Sequence, residues 1–510
     1  MSNLFTQFLS HTLRPFLLRL LRWTERSGPL SVPRSSLFLH REVHVPTWAV
    51  ALAVWIMLSF VLFLKIGPGW PEAAAVFILS LALLILFVLY IRFDHPELMH
   101  DEDAVALLGV LVVGSVLAME LWFDASGRHP WISPYGFPLP AVGILAAVLL
   151  HPRLAVVTTV VLSLVFGILS GFSLEAALVV CFGGMAGVTR SVKIRTRGDV
   201  TRAGLWVALG GGAAVGMMGL MERWPVADMA FALKWVAVGS GFSALLAVGL
   251  LPYLEVFFSR LSNIRLLELS DVNHPLLKRM SLEAPGTYHH SLIMASLAHA
   301  AAERIGANAL LCRAGAYFHD IGKLAKPEYF VENQGALGNP HELLPPNMSR
   351  IVIQSHVKDG LALAQRHNLD RALMDFITMH HGTSRIEYFY RRAIEQTGAA
   401  DDVDEDAFRY PGPKPLTKET AIVMMADSVE ASTRTVENPT HQRLVDHVDR
   451  IVESKIADGQ FAGVPLTLAE IQRVKESFVN TLVGVYHARI RYPTSQETDV
   501  EFRGIHPFKK

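Results

Sequence analysis

Cysteine is nearly missing from this chain: only Cys181 and Cys312 occur in 510 residues. Two thiols exclude a disulfide framework and a cysteine-rich zinc centre. Charge is scarce as well. Only 18% of residues are charged, where a soluble chain carries roughly a quarter. The 46 basic and 46 acidic residues cancel, so bulk charge does not recruit a polymeric nucleic acid. Strand signals are sparse, and no internal repeat or long low-complexity tract occurs. What is plentiful is apolar sequence, 51% of the residues, and histidine, with 21 copies that fall mostly after Val256.

The apolar residues are concentrated in the first half. Eight runs follow one another: Trp48–Leu64, Ala73–Ile91, Ala104–Phe123, Phe137–Leu150, Leu154–Ser170, Leu174–Val188, Ala203–Met221 and Phe231–Leu251. A helix needs roughly 20 apolar residues to cross the hydrocarbon core. Phe137–Leu150 and Leu174–Val188 are shorter and read as tilted or re-entrant pieces, so seven or eight spans are expected. Residues 1–46 carry Arg14, Arg19, Arg22, Arg26, Arg34 and Arg41. The loop from Arg190 to Arg202 adds Lys193, Arg195 and Arg197. Both segments are expected in the cytoplasm, since cytoplasmic loops collect basic residues. An even number of spans then returns the chain to the cytoplasm by Arg260. Leu4–Arg22 reads as an amphipathic helix lying on the membrane. Arg14 and Arg19 interrupt it too often for a signal peptide. Gly210, Gly211, Gly212, Gly216 and Gly219 in one span predict close helix packing. Glu120 and Glu175, near span ends, read as snorkelling acids.

After Phe258 charges become frequent and apolar residues recur at helical spacing, as at Leu292, Ala295, Leu297 and Ala298. The resulting plan is all-α. It has an amino-terminal segment (1–46), a polytopic transmembrane bundle (47–258), a link (259–277), a helical domain (278–495) and a tail (496–510).

Within that helical domain a set of metal-ligand types stands out. Thr287-Tyr-His-His-Ser291 supplies His290, and Phe318-His-Asp-Ile-Gly-Lys323 supplies His319 and Asp320. Gln354-Ser-His356 supplies His356, Met379-His-His-Gly-Thr383 supplies His380 and His381, and Ala426-Asp-Ser428 supplies Asp427. Imidazoles and carboxylates without a thiolate suit borderline first-row ions such as Fe, Mn or Co. In the adjacent His319-Asp320 pair, the imidazole can hold one ion while the carboxylate reaches a second. Two neighbouring ions are a known clamp for in-line phosphoester hydrolysis. One His-Asp dipeptide among 21 histidines carries little; the whole set in one domain carries the signal.

The order His290, His319-Asp320, His356, His380-His381, Asp427 resembles the HD superfamily, and Asp320-Ile-Gly-Lys323 resembles its HDIG form. Glu283-Ala-Pro-Gly-Thr-Tyr-His-His-Ser291, Tyr388-Phe-Tyr390, Phe408-Arg-Tyr-Pro-Gly-Pro-Lys-Pro415 and Ala426-Asp-Ser-Val-Glu-Ala431 resemble the seven-transmembrane HD family more closely. That resemblance implies a cytoplasmic metallophosphohydrolase domain on the inner membrane. It also implies two divalent ions, Mn or Fe, and hydrolysis of cyclic di-AMP to pApA. It places His290, His319 and Asp427 on one ion, His356, His380 and His381 on the other, and Asp320 between them. Lys323 would sit near the phosphates. Tyr288, His341, Arg385 and Tyr388 are weaker candidates for substrate contact. Other partners are the lipid bilayer and, as an open alternative, a second copy of the chain. Many members carry a long extracytoplasmic domain after the first span, whereas here Lys65–Glu72 leaves a short turn.

Three alternatives stay open. A cyclic di-GMP enzyme would carry a Gly-Tyr-Pro signature soon after the paired histidines, and Arg385-Ile-Glu-Tyr-Phe-Tyr390 stands there instead. A mononucleotide phosphatase is compatible with the insert from Pro327 to Ser349. A membrane receptor whose HD domain only binds a ligand, without turnover, would be expected to have lost a metal-ligand residue, and every such position is occupied.

Overall fold

The computed structural model describes residues 47–487, apart from 67–69, 193, 195, 335–337, 400–401 and 437–438. The expected amphipathic helix at Leu4–Arg22, residues Lys193 and Arg195, and the tail 496–510 lie outside the described residues. Among the described residues every regular element is helical, and one isolated bridge pairs Arg385 with Arg409.

Each apolar run coincides with a helix: α1 (Thr47–Ile66), α2 (Trp70–Asp94), α3 (Glu102–Arg128), α4 (Pro140–Leu149), α5 (Pro152–Leu169), α6 (Leu174–Ser191), α7 (Arg197–Met221) and α8 (Val226–Phe257). Six are long and apolar enough to cross a membrane, namely α2, α3 and α5–α8. The run at Leu174 is thus long enough after all, because its helix continues through Thr189 and Arg190 to Ser191. In α1 the apolar core is the shorter stretch Ala49–Phe63. Lipid-type exposure is clear on α2, where Phe77, Ile78, Leu86 and Phe93 face outward. Small residues bring the inner helices together. A Cβ on Gly210 would lie 2.7 Å from the Phe182 carbonyl oxygen, and one on Gly211 would lie 2.9 Å from Val236. Gly216 has nothing within 4 Å, so the glycine stripe packs over only part of its length.

The turns sort to two ends. At one end Arg153 lies 3.7 Å from Asp94, the rings of His95 and His151 are 4.3 Å apart, and Arg260 pairs with Asp101. At the other end the Trp122 indole donates to the Ser133 carbonyl at 3.3 Å and the Trp224 indole donates to Glu222 at 3.0 Å. The helical domain continues from the first end, where Arg197 pairs with Glu268 at 2.9 Å.

Residues 259–277 are more than a link. They form α9 (Asn263–Leu269) and the start of α10 (Pro275–Glu283). Leu266, Leu269, Leu276 and Leu277 are buried with Phe318, Ile321, Leu373 and Ile377. Two short helices separated by a turn show too few periods for an apolar face to be read from sequence.

The domain proper consists of α11 (Pro285–Ile305), α12 (Ala309–Phe318), α13 (Pro346–Arg366), α14 (Arg371–Met379), α15 (Glu387–Thr397), α16 (Lys418–Thr433), α17 (His441–Ala457) and α18 (Leu468–His487). Local chemistry sets the boundaries. Pro285 and Pro346 occupy first-turn positions, where a missing N–H costs nothing. Gly306 ends α11 in the left-handed region, and the Asn308 side chain caps α12. Helices α11, α16, α17 and α18 meet around Met294, Leu297, Val423, Ala426, Leu444 and Phe478, all essentially inaccessible.

Candidate metal centre

Seven side chains from five places in the chain converge above this core. His290 comes from the second turn of α11 and Asp427 from the middle of α16. His319 follows the last residue of α12, and Asp320 opens the short turn Ile321–Ala325. His356 lies within α13, and His380 with His381 follow the end of α14. The position of Asp320 depends on contact with α13. A Cβ at Gly322 would fall 1.8 Å from the His356 carbonyl oxygen, so only glycine lets that turn lie on α13. Gly382, with φ +53°, turns the chain directly after the paired histidines.

The side chains fall into two sets. In the first, His290, His319 and Asp427 bring their ligand atoms within 4.8 Å of one another; in the second, Asp320, His356, His380 and His381 do the same. Asp320 lies between the sets. One of its oxygens is 3.1 Å from His319 Nε2, and the other is 3.5 Å from His356 Nε2 and 3.6 Å from His380 Nε2.

The ring nitrogens declare their roles. His319 Nδ1 faces the Ala316 carbonyl at 2.8 Å, His356 Nδ1 faces Ile353 at 2.6 Å, and His380 Nδ1 faces Phe376 at 3.0 Å. A carbonyl only accepts, so each Nδ1 carries a hydrogen, and a neutral ring then points a bare Nε2 lone pair inward. The Nε2 atoms of His356 and His380 are 3.2 Å apart. Two bare lone pairs at that distance repel unless a cation lies between them. His319 Nε2 and Asp320 Oδ1 are buried without a hydrogen-bond partner, an uncommon state that a metal ion would relieve. The donor set therefore fits divalent ions of borderline character.

The two sets differ electrically. Burial pushes His356 down to about 4 and His381 well below the usual imidazole value, so both stay neutral. Burial also opposes a charge on His290, but Asp427 and Glu430 outweigh it and push that group up to about 9. Burial raises Asp320, yet its neighbours His319 and Lys323 outweigh that and hold it well below the carboxylate range.

Residues 70–262 match the family described as 7TM receptor with intracellular HD hydrolase, and residues 287–432 match the HD domain. The chain belongs to this 7TM-HD family. It is 40% identical over 414 residues to the cyclic-di-AMP phosphodiesterase PgpH of Bacillus subtilis, covering 80% of this chain and 58% of the relative. It is 34% identical over 428 residues to the PgpH of Listeria monocytogenes, covering 83% of this chain and 59% of that one. The chain thus spans somewhat over half the length of the curated relatives it matches. The crystal structure of the L. monocytogenes PgpH HD domain in complex with cyclic-di-AMP is 45% identical. It covers 42% of this chain and 100% of that chain, with a TM-score of 0.41. As a 7TM-HD member the chain is a multi-pass membrane protein, and its HD domain is of a divalent-metal-binding type.

The remaining sequence candidates separate. Lys323 reaches the cluster: its ammonium lies 2.7 Å from Asp320 and 2.7 Å from Glu332. Tyr288 instead packs against the core formed around Leu276 and Phe318. His341 is buried in the 327–343 segment, with Nε2 2.9 Å from the Tyr329 carbonyl and its ring against Phe389. Arg385 pairs with Glu387 and Glu405 and lies over Tyr390. Tyr388 is exposed. Two residues without a role at the sequence level join the site. Glu430 pairs with His290 Nδ1 and is itself held by Arg434 at 2.8 Å. Tyr410 stacks on His381 with ring centroids 4.1 Å apart. Glu430 follows Asp427 by three residues on one helix, and that spacing was the signal available for it.

Proposed function

We propose that this 7TM-HD protein is a phosphodiesterase of the cytoplasmic membrane that hydrolyses cyclic di-AMP to pApA on its cytoplasmic side. The observation that carries the reading is the pair of facing donor sets with Asp320 between them. His290, His319 and Asp427 would hold one divalent ion, His356, His380 and His381 the other, and Asp320 would touch both. Manganese or iron suits these nitrogen and oxygen donors. A pair of such ions supplies Lewis acidity and an activated water for in-line attack at phosphorus.

The chain's own residues then have distinct tasks. Backbone carbonyls fix the His319, His356 and His380 rings, and Glu430 fixes His290. The Lys323 ammonium, buried between Asp320 and Glu332, orients the Asp320 carboxylate. Burial of the cluster excludes bulk water and strengthens every charge interaction within it. The names of the two PgpH relatives support cyclic di-AMP as substrate, and the basic residues at Arg190–Arg202 support a cytoplasmic HD domain.

The test uses the full chain in detergent, loaded with Mn²⁺ or Fe²⁺. Cyclic di-AMP, cyclic di-GMP and a panel of mononucleotides are supplied separately, with Asp320→Ala as control. Conversion of cyclic di-AMP to pApA that is lost in the control is the expected result. Metal-loaded protein that turns over only mononucleotides, or nothing, overturns the reading.

A further inference from the structure

Lys455 stands in the last turn of α17, outside every motif read from the sequence. It is partly buried, and its ammonium donates to Ser384 Oγ at 2.8 Å. Ser384 ends the turn that carries the paired histidines. Its N–H donates to the His381 carbonyl, and its own carbonyl accepts from Tyr410 N. The ammonium is therefore set at the rim of the donor set that contains His381.

Lys414, also partly buried, donates to the Gly459 carbonyl at 2.9 Å, whereas three other lysines of the domain are neutralised by carboxylates. Lys323 has Glu332 at 2.7 Å, Lys418 has Glu470 at 2.6 Å and Lys475 has Asp449 at 2.7 Å. Lys455 has no carboxylate oxygen within 4.0 Å among the described residues. Asp427 and Asp458 face it from farther away, and both are committed. Asp427 is taken by His290 at 3.1 Å, and Asp458 by Arg409 at 3.0 Å and Gln460 at 2.7 Å. Burial pushes this ammonium below the usual lysine range, and the two carboxylates only partly offset that. A half-desolvated cation whose neighbouring anions are already engaged favours an incoming anion.

We propose that Lys455 is a phosphate-binding residue of the site, its ammonium taking a non-bridging oxygen of a substrate phosphodiester. The identity of that substrate rests on the function proposed above; the phosphate contact does not. Lys323, locked between Asp320 and Glu332, leaves this task open. A cyclic dinucleotide carries two phosphodiester charges, and Lys455 gives the site a cation for them beyond the metal ions.

The experiment titrates inorganic phosphate into the Mn²⁺-loaded full chain and its variants by calorimetry, with bound metal quantified in each. Lys455→Met is expected to weaken phosphate binding about tenfold or more, the worth of one charge-assisted hydrogen bond, with metal content unchanged. Lys455→Arg is expected to retain most of the affinity, and Ser384→Ala to stay near wild type. Wild-type affinity in Lys455→Met overturns the proposal. So does a loss fully reproduced by Ser384→Ala, which would make Lys455 a prop for the turn. A loss that only follows lost metal also overturns it. A second measurement needs no variant: phosphate is expected to protect Lys455 of the wild-type protein from acetylation, and unchanged labelling counts against the contact. If phosphate binding depends on Lys455 while cyclic di-AMP is not turned over, this inference stands and the substrate reading fails.

Discussion

The two halves of the candidate metal centre have the same kind of donors and different electrostatics. Around Asp427 the site is ionic: His290 lies between Asp427 and Glu430, and Arg434 backs Glu430. Around His356, His380 and His381 it is desolvated, with His356 and His381 kept neutral by burial and ring orientation set by backbone carbonyls and by the Tyr410 stack. The first half orients His290 with the Glu430 side chain, which a point mutation can remove, and only His319 with a main-chain carbonyl. The second half orients its ligands largely with main chain that no side-chain mutation removes. Equal ligand counts therefore do not imply equal sensitivity, and several measurements can break or sharpen this contrast.

The largest effect is expected where the halves meet. Asp320→Ala removes the oxygens that face both sets, and turnover should fall about a thousandfold or more, equivalent to several kcal/mol of transition-state stabilisation. A loss confined to one ion, measured by metal content, would show that Asp320 belongs to one half only.

Gly322→Ala comes next. Its methyl group would overlap the His356 carbonyl, so the Asp320 turn must lift off α13 at a cost of about 1–3 kcal/mol. A lower unfolding midpoint and weakened metal retention are expected in both halves.

Glu430→Gln separates the halves. Removing such an outer partner typically costs about 10–100-fold in metal affinity. Under limiting Mn²⁺ the variant should retain about one ion fewer than wild type. Equal loss of both ions would contradict the contrast.

The pH dependence follows from His290. In the metal-free chain its pKa is raised from 6.5 to about 9. The protonated ring therefore stabilises the fold fully below pH 6.5, and that contribution, on the order of 3 kcal/mol, is lost as pH rises through about 9. The unfolding midpoint of metal-free protein should fall across that window. With metal bound, the ion replaces the proton, and the fall should be absent.

The smallest effect is expected at Tyr410. Tyr410→Ala removes the stack on His381, worth about 0.5–1.5 kcal/mol, and should weaken only the neutral half, by about tenfold or less. Tyr410→Phe keeps the ring and should change little.

Much of this could be read from residue order alone. Long apolar runs impose helices in lipid because an unpaired backbone there costs several kcal/mol per group, so the eight runs matched α1–α8 closely. The seven candidate ligands could be picked out because imidazole and carboxylate are scarce in helical cores, and the structure brings them together. Span length was less legible: the helix at Leu174 runs past its apolar stretch to Ser191, since hydrogen bonding continues where hydropathy stops.

Partners distant in sequence were decided only by tertiary packing. Tyr288 and His290 are two residues apart on α11, and helical geometry sends one into the core around Phe318 and the other into the site. His341 and Arg385 have suitable chemistry, but their partners are Tyr329 and Glu405. Glu430 and Lys455 matter because folding brings them to His290 and Ser384. The sequence by itself determined which groups could bind metal and where helices would form, because both follow from residue type and local period. Which groups face one another, and which charge is left free for a substrate, depended on contacts between helices that no local pattern encodes.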